Sequence, residues 1–360
     1  MRIGILAPLK RELSKETTGG RPRIVYNLVE ELCRRGHDVT VFGTGDSHIS
    51  AHLISVIPQA LYHTPAVENE FYRHTTVLSE MMRVVLSHQG EFDVIHNHLY
   101  PEAFPYVIAS QLSCPMITTV HLQIDATSGA FFSQYPHIPI VPISDCQRKL
   151  YPHLPYRDIV YNGIDETIFS FASHADDYLL FIGRIREPYV DEKGNSIDPK
   201  GVTDAIRVAK KSGSKLIIAG NVESYAFFER EIAPHLSDHI QFVGDPHSKE
   251  GSLTLQERVS LYQHAKAFLF PIHIDEPFGI TMIEAMSCGT PVIAYDRGAV
   301  SEVVVDGIHG FVVSDEDAMV KAVSRISTID RHACRERVLE LFTAKKMADG
   351  YEMIYQSLTT

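Results

Sequence analysis

The chain predicts an α/β protein made of two Rossmann-like domains with parallel sheets. Three observations predict it. Short apolar runs of strand length recur along the 360 residues, with amphipathic segments between them. The runs are continuously hydrophobic rather than alternating, as expected for parallel strands covered on both faces by helices. The pattern breaks once, at the polar, aspartate-rich FASHADDY, and then starts again.

The elements follow in order. RIGILAP reads as a buried opening strand. PRIVYNLVEELCRRGH places Ile24, Leu28 and Leu32 at helical spacing and stops at Gly36, and HDVTVFG is the next strand. FDVIHNH, PMITTVH and IPIVPIS continue the first set. YLLFIG, KLIIAG, HIQFVG, KAFLFPI, TPVIAYD and GFVV form the second. The expected organisation is a first domain over 1–168, a second over 169–343, and a polar helix over 344–360. Met347, Tyr351, Ile354 and Tyr355 give that helix an apolar face that could return to the first domain. One loop, REPYVDEKGNSIDPKG, exceeds the roughly 2–6 residues usual between a strand and its helix.

Composition narrows the function. A hydrophobic content of 44% and a charged content of 22% suit a globular protein. The net charge of -12 argues against broad nucleic-acid affinity. The deficit is -3 up to Asp165 and -9 beyond it, yet the first 35 residues hold 8 basic against 4 acidic side chains. The five cysteines are scattered without a C-x-x-C pair, which fits a reducing compartment. MRIGILAPLK has no signal-peptide pattern, and no apolar stretch approaches the ~20 residues of a bilayer span. A cytoplasmic protein is expected. The basic stretch Lys10 to Arg23 is a candidate for contact with the inner face of a membrane or a phosphorylated acceptor, although a solvated loop is the commoner explanation.

The chemistry gathers where ligands bind in open parallel sheets, beyond the carboxyl ends of strands. Arg184 follows FIG, His121 follows TTV, His96 and His98 follow FDVI, and Glu276 follows FLFPIHID. In DEPFGITMIEAMSCGTPVIA, Pro277 suits the first position of a helix. The amides of Phe278, Gly279, Ile280 and Thr281 would then be free for an anion such as phosphate. Glu276 and Glu284 stand eight residues apart, roughly 12 Å along a helix. That matches a ligand with hydroxyls at both ends and phosphates between them, a nucleoside-diphosphate sugar. Read alone, such a pair is more often a helix cap and a surface ion pair. Arg184 and Lys200, with Lys193 competing, could supply the positive charge a diphosphate leaving group needs. Gly19 and Gly20 in TTGGRPR allow close backbone approach to a phosphate, or simply a turn. His96 and His98 have no evident third metal ligand. Asp315 and Asp317 match D-x-D but read as a helix start, so no metal is expected.

EPFGITMIEAMSCGTPVIAYDRGAVSEVVVDGIHGFVV resembles the signature of glycosyltransferase family 4, retaining enzymes of GT-B fold. The likeness extends through TTGGRPRIVYNLVEELCRRGHDVTVF, FDVIHNH, TTVH, VYNGIDETIF and LLFIGRI. It implies two Rossmann-like domains facing a cleft, an acceptor-binding first domain and a donor-binding second one. Glu276 and Phe278 would meet the donor sugar and Glu284 the ribose. Arg184 and Lys200 would neutralise the diphosphate, with the amides of Gly279, Ile280 and Thr281 and with Gly19 and Gly20. His121 would lie beside the reacting carbon. Front-face attack is implied, with no metal and no cofactor beyond the nucleotide-sugar co-substrate, and with a glycan, lipid or small-molecule hydroxyl as acceptor. Two departures stand out: YVDEKGNSIDP intervenes between Arg184 and Lys200, and Pro271-Ile272 replaces the usual Pro-Ser. A non-catalytic nucleotide-sugar-binding protein and a nucleotide-sugar epimerase are the alternatives. A dehydrogenase is disfavoured because no G-x-G-x-x-G follows the first strand.

Overall fold

A computed structural model of the protein describes residues 1–190, 194–248 and 253–359. The chain divides into two compact units, Met1–Gly163 with Ala344–Thr360, and Ile164–Thr343. The division thus falls at Gly163, ahead of the polar stretch, because Ile164 already hydrogen-bonds Phe342 of the second unit.

The first unit holds a six-stranded sheet of β1 (Arg2–Leu6), β2 (Asp38–Thr44), β3 (His52–Ile57), β4 (Val94–Asn97), β5 (Met116–Thr119) and β6 (Ile140–Val141). The order is β3-β2-β1-β4-β5-β6, with every pairing parallel. Helix Gly20–Arg34 buries Ile24, Leu28 and Leu32 completely and ends before Gly36, whose φ of 82° closes it. β6 is only two residues long because Pro139 and Pro142 flank it and bring no N–H to the ladder. β3 is a half-exposed edge strand.

The second unit repeats the plan with β7 (Tyr178–Ile182), β10 (Lys215–Ala219), β11 (Ile240–Val243), β12 (Ala267–Phe270), β13 (Val292–Tyr295) and β14 (Gly310–Val313). Its order is β11-β10-β7-β12-β13-β14, again all parallel. The long loop after β7 forms a two-stranded antiparallel hairpin, β8 (Tyr189–Val190) with β9 (Ser196–Ile197). Each sheet reverses direction beside its first strand, between β1 and β4 and between β7 and β12. Such switch points are where doubly wound sheets receive ligands.

The C-terminal helix Ala344–Thr359 packs in the first unit and buries Met347, Tyr351, Ile354 and Tyr355. Ion pairs hold it to helix Gly20–Arg34. Arg35 donates to Glu31 at 2.8 Å and to Glu352 at 2.5 Å, and His37 meets Glu352 at 2.6 Å. No helix among the described residues is long and apolar enough to cross a membrane.

Candidate active site

At the β7/β12 switch point of the second unit, two loops bring opposite charges together. Lys200 Nζ lies 2.6 Å from Glu276 Oε2, with both side chains largely buried at 17% and 19% exposure. Backbone crowding makes this approach possible. Gly201 (φ 75°) lies so close to the end of β12 that an added Cβ would sit 1.9 Å from the Pro271 carbonyl oxygen. Gly298 (φ 60°) abuts Glu276 itself, where a Cβ would come within 2.2 Å of the Glu276 carbonyl oxygen. Ala299 N–H then donates to that oxygen at 2.9 Å. Asp198, which accepts from the amides of Lys200 and Thr203, shapes the loop ahead of Lys200. Lys193 lies outside the described residues.

Just beyond Glu276 a helix runs from Ile280 to Ser287, with Gly279 in the left-handed region as its N-cap. The N–H groups of Gly279, Ile280 and Thr281 make no hydrogen bond among the described residues. Amides of this kind at a helix start attract anions. The other end of the same helix is closed by cations. Arg335 donates to the Ser287 carbonyl at 3.0 Å, and Arg331 donates to the Ala172, Gln263 and Ala265 carbonyls beside it.

Three expectations need correction or restatement. Pro277 is not the first helical residue, because the helix starts only after the left-handed Gly279. Residues 276–279 are loop, so the separation of Glu276 and Glu284 is not eight helical rises. The Phe278 side chain is buried against Phe342, with ring centroids 5.6 Å apart, so only its backbone can meet a ligand. Glu284 lies in the second turn, 1% exposed, and accepts a hydrogen bond from the Tyr262 hydroxyl at 3.0 Å. Arg184, directly after Gly183 at the end of β7, is 58% exposed and 3.5 Å from Glu223. Asp315 caps helix Glu316–Arg325 through the Ala318 amide, and Glu316 pairs with Arg207 and Lys211. Among the described residues no cluster of three or more His, Cys, Asp or Glu is arranged for a metal.

The first unit has its own polar centre at the ends of β4 and β5. His121 Nε2 is 2.8 Å from His98 Nδ1, and His98 Nε2 is 3.2 Å from His96 Nδ1. Burial holds all three imidazoles neutral. His96 titrates well below the ordinary range, as does His121. His98 is pushed down to about 3, with the nearby Arg21 charge adding to the effect of burial. Helix Gly20–Arg34 begins at the glycine pair. Gly19 is its N-cap, and the amides of Gly20 and Arg21 have no partner among the described residues. The basic stretch is less free than its composition implies. Arg21 donates to Leu99 O at 2.7 Å and to Glu102 at 2.6 Å, and Arg11 stacks 3.7 Å over the Tyr62 ring. Lys10 and Lys15 are exposed.

Known proteins share both sequence and fold with this chain. A family model described as Glycosyltransferase Family 4 matches residues 18–168, and one described as Glycosyl transferases group 1 matches residues 176–338. A phosphatidyl-myo-inositol mannosyltransferase of Mycolicibacterium smegmatis is 26% identical over 348 residues, covering 92% of this chain and 85% of its own length. The solved sucrose-phosphate synthase of Thermosynechococcus elongatus superposes with a TM-score of 0.77 at 18% identity, covering 99% of each chain. Anabaena HepE, solved with UDP and glucose, gives a TM-score of 0.70 at 14% identity over 99% of this chain and all of its own. The chain belongs to glycosyltransferase family 4. It is a glycosyltransferase, and its two parallel six-stranded sheets are those of the GT-B fold.

Proposed function

We propose that the protein moves a sugar, with retention of configuration, from a nucleoside-diphosphate sugar to a hydroxyl of a glycan, lipid-linked or small-molecule acceptor. The observation that carries this reading is the meeting of Lys200 and Glu276 beside the unpartnered amides of Gly279, Ile280 and Thr281. A cation, an anion and a row of N–H donors within one loop and helix start suit a diphosphate joined to a hydroxyl-rich sugar. HepE, of the same fold, was solved with UDP and glucose.

On this reading Lys200, Arg184 and the helix amides hold the diphosphate, so the developing charge is met by fixed protein cations and dipoles rather than a metal. Glu276 accepts hydrogen bonds from the sugar hydroxyls, and Lys200 turns from it toward the phosphate. Glu284 takes a ribose hydroxyl alongside Tyr262. In the reaction, the bond from the anomeric carbon to the β-phosphate oxygen breaks. The acceptor oxygen bonds to that carbon on the same face, and its proton passes to the departing phosphate oxygen. No side-chain general base is needed.

The test is nucleotide release and glycoside formation from UDP, GDP and ADP sugars with varied acceptors, the product anomer being read by proton NMR. Transfer with a retained anomer, lost in Glu276→Ala and Lys200→Ala, is expected. An inverted product, or full activity in both variants, overturns the reading.

A further inference from the structure

Within the second unit, the loops that carry Lys200 and Glu276 are joined by more than their ion pair. Asp204, in the first turn of helix Val202–Ser212, is buried, and its carboxylate gathers donors from three places. His273 Nε2 lies 3.0 Å from Asp204 Oδ2. The Tyr295 hydroxyl, at the end of β13, donates to Oδ1 at 3.0 Å, and Arg207 approaches that oxygen at 2.9 Å. Burial pushes the Asp204 carboxyl up, but the His273 hydrogen bond, with the Arg207 charge helping, holds the group below its usual range. An ionised carboxylate only accepts, so His273 is the donor, through Nε2–H. The Tyr295 ring stands edge-on to the imidazole, with centroids 5.4 Å apart.

These contacts close a ring. Lys200 stands four residues before Asp204, Asp204 meets His273, Glu276 follows His273 by three residues, and Glu276 meets Lys200 at 2.6 Å. His273 is also tied through its backbone, where its N–H donates to the Pro199 carbonyl at 3.1 Å. Beyond it, the backbone groups of Ile274 and Asp275 make no hydrogen bond among the described residues. The approach to Glu276 is therefore fixed at His273 and next at the Glu276 carbonyl, which accepts from Ala299. On the reading above, Lys200 leaves Glu276 when a diphosphate arrives. Asp204–His273 is then the side-chain link that remains between the two loops among the described residues.

We propose that His273 is a positioning residue: bound to Asp204, it keeps Glu276 in register with Lys200 after the two part, so that the sugar of a nucleoside-diphosphate sugar meets Glu276 while its diphosphate lies on Lys200. This rests on the reading that Glu276 meets the donor sugar. His273 then matters for the sugar more than for the nucleotide. The diphosphate keeps Lys200 and the amides of Gly279, Ile280 and Thr281 whether or not Glu276 is in register.

The test has two arms on the full chain. Hydrogen exchange followed by NMR reads the amides of residue 273 and Ala299, which bond the Pro199 and Glu276 carbonyls. Isothermal titration compares UDP, GDP and ADP with UDP-glucose, GDP-mannose and ADP-glucose. In His273→Ala, both amides are expected to exchange about tenfold faster, and the affinity for nucleotide sugar relative to its nucleoside diphosphate to fall about tenfold. His273→Gln keeps an N–H donor for Asp204 and is expected to restore both. Arg207→Ala removes a different donor to Asp204 and is expected to leave the affinity ratio unchanged, which separates positioning from loss of stability. Unchanged exchange in His273→Ala overturns the proposal, as does an unchanged ratio in that variant when Glu276→Ala loses it. An unchanged ratio in Glu276→Ala, or no binding of any nucleotide, removes instead the reading of Glu276, and the exchange arm alone then decides whether His273 holds the loop.

Discussion

Replacing Lys200 by Met removes the charge but keeps most of the stem. The Lys200–Glu276 pair is 2.6 Å long and its side chains are 17% and 19% exposed. Fully exposed pairs contribute about 0–1 kcal/mol. Breaking a fully buried one costs about 3–5 kcal/mol, because the remaining charge is left desolvated and alone. Lys200→Met falls between these limits, at about 2 kcal/mol. For a unit of this size that corresponds to roughly 4–8 °C in Tm. Glu276→Gln should cost less, because Gln can still accept from the lysine. The double variant Lys200→Met/Glu276→Gln should cost less than the two single changes added, with a coupling of about 1 kcal/mol. Calorimetry of the four proteins supplies the cycle. Additive effects would refute the idea that these side chains are held against one another, and would leave the 2.6 Å contact without energetic meaning.

Three further outcomes follow from the same geometry. Gly298→Ala forces a Cβ against the Glu276 backbone at a positive φ, so it should destabilise the second unit by about 2 kcal/mol or more in urea titration and weaken donor binding. Arg335→Ala removes donors to the Ser287, Phe169 and Glu166 carbonyls, and should lower stability by about 2 kcal/mol in the same assay. The pairing of the C-terminal helix with helix Gly20–Arg34 should be acid-labile. The Glu31 carboxyl is held below its usual range by a hydrogen bond from Arg34, against the effect of burial and with Arg35 helping. Burial raises that of Glu352, but hydrogen bonds from His37 and Arg35 outweigh it. A depressed folded pKa contributes stability above the unfolded value of about 4.3 that is lost as pH falls through the folded one. Wild type should therefore lose stability below about pH 4, and Glu352→Gln should flatten that slope.

The buried strands were legible because their apolar runs are unbroken, strand ends placed Arg184 and Glu276, and Lys200 was placed by the amphipathic helix Val202–Ser212 that it precedes. The edge strand β3 was not, since His52 and Ser55 interrupt its pattern and one side of it faces solvent. Pro277 misplaced the helix start because its preference for a first turn is local, whereas the left-handed Gly279 is what admits the chain to the helix. Phe278 looked like a ligand contact by its neighbours in sequence, but its ring found Phe342. Partners brought together only by the fold left no signal in the spacing. Tyr262 reaches Glu284, and Gly298 backs Glu276, without any local motif to announce them. Tyr351 and Tyr355 read correctly as the apolar face of the last helix, but helical periodicity says nothing about where a hydroxyl ends.

The central claim is that Lys200 and the amides before Met282 receive a diphosphate. Isothermal titration of the full chain with UDP, GDP and ADP tests it most directly. At least one nucleotide should bind, and Lys200→Met should weaken that binding about tenfold or more with the fold intact. Undiminished affinity in folded Lys200→Met would contradict the account.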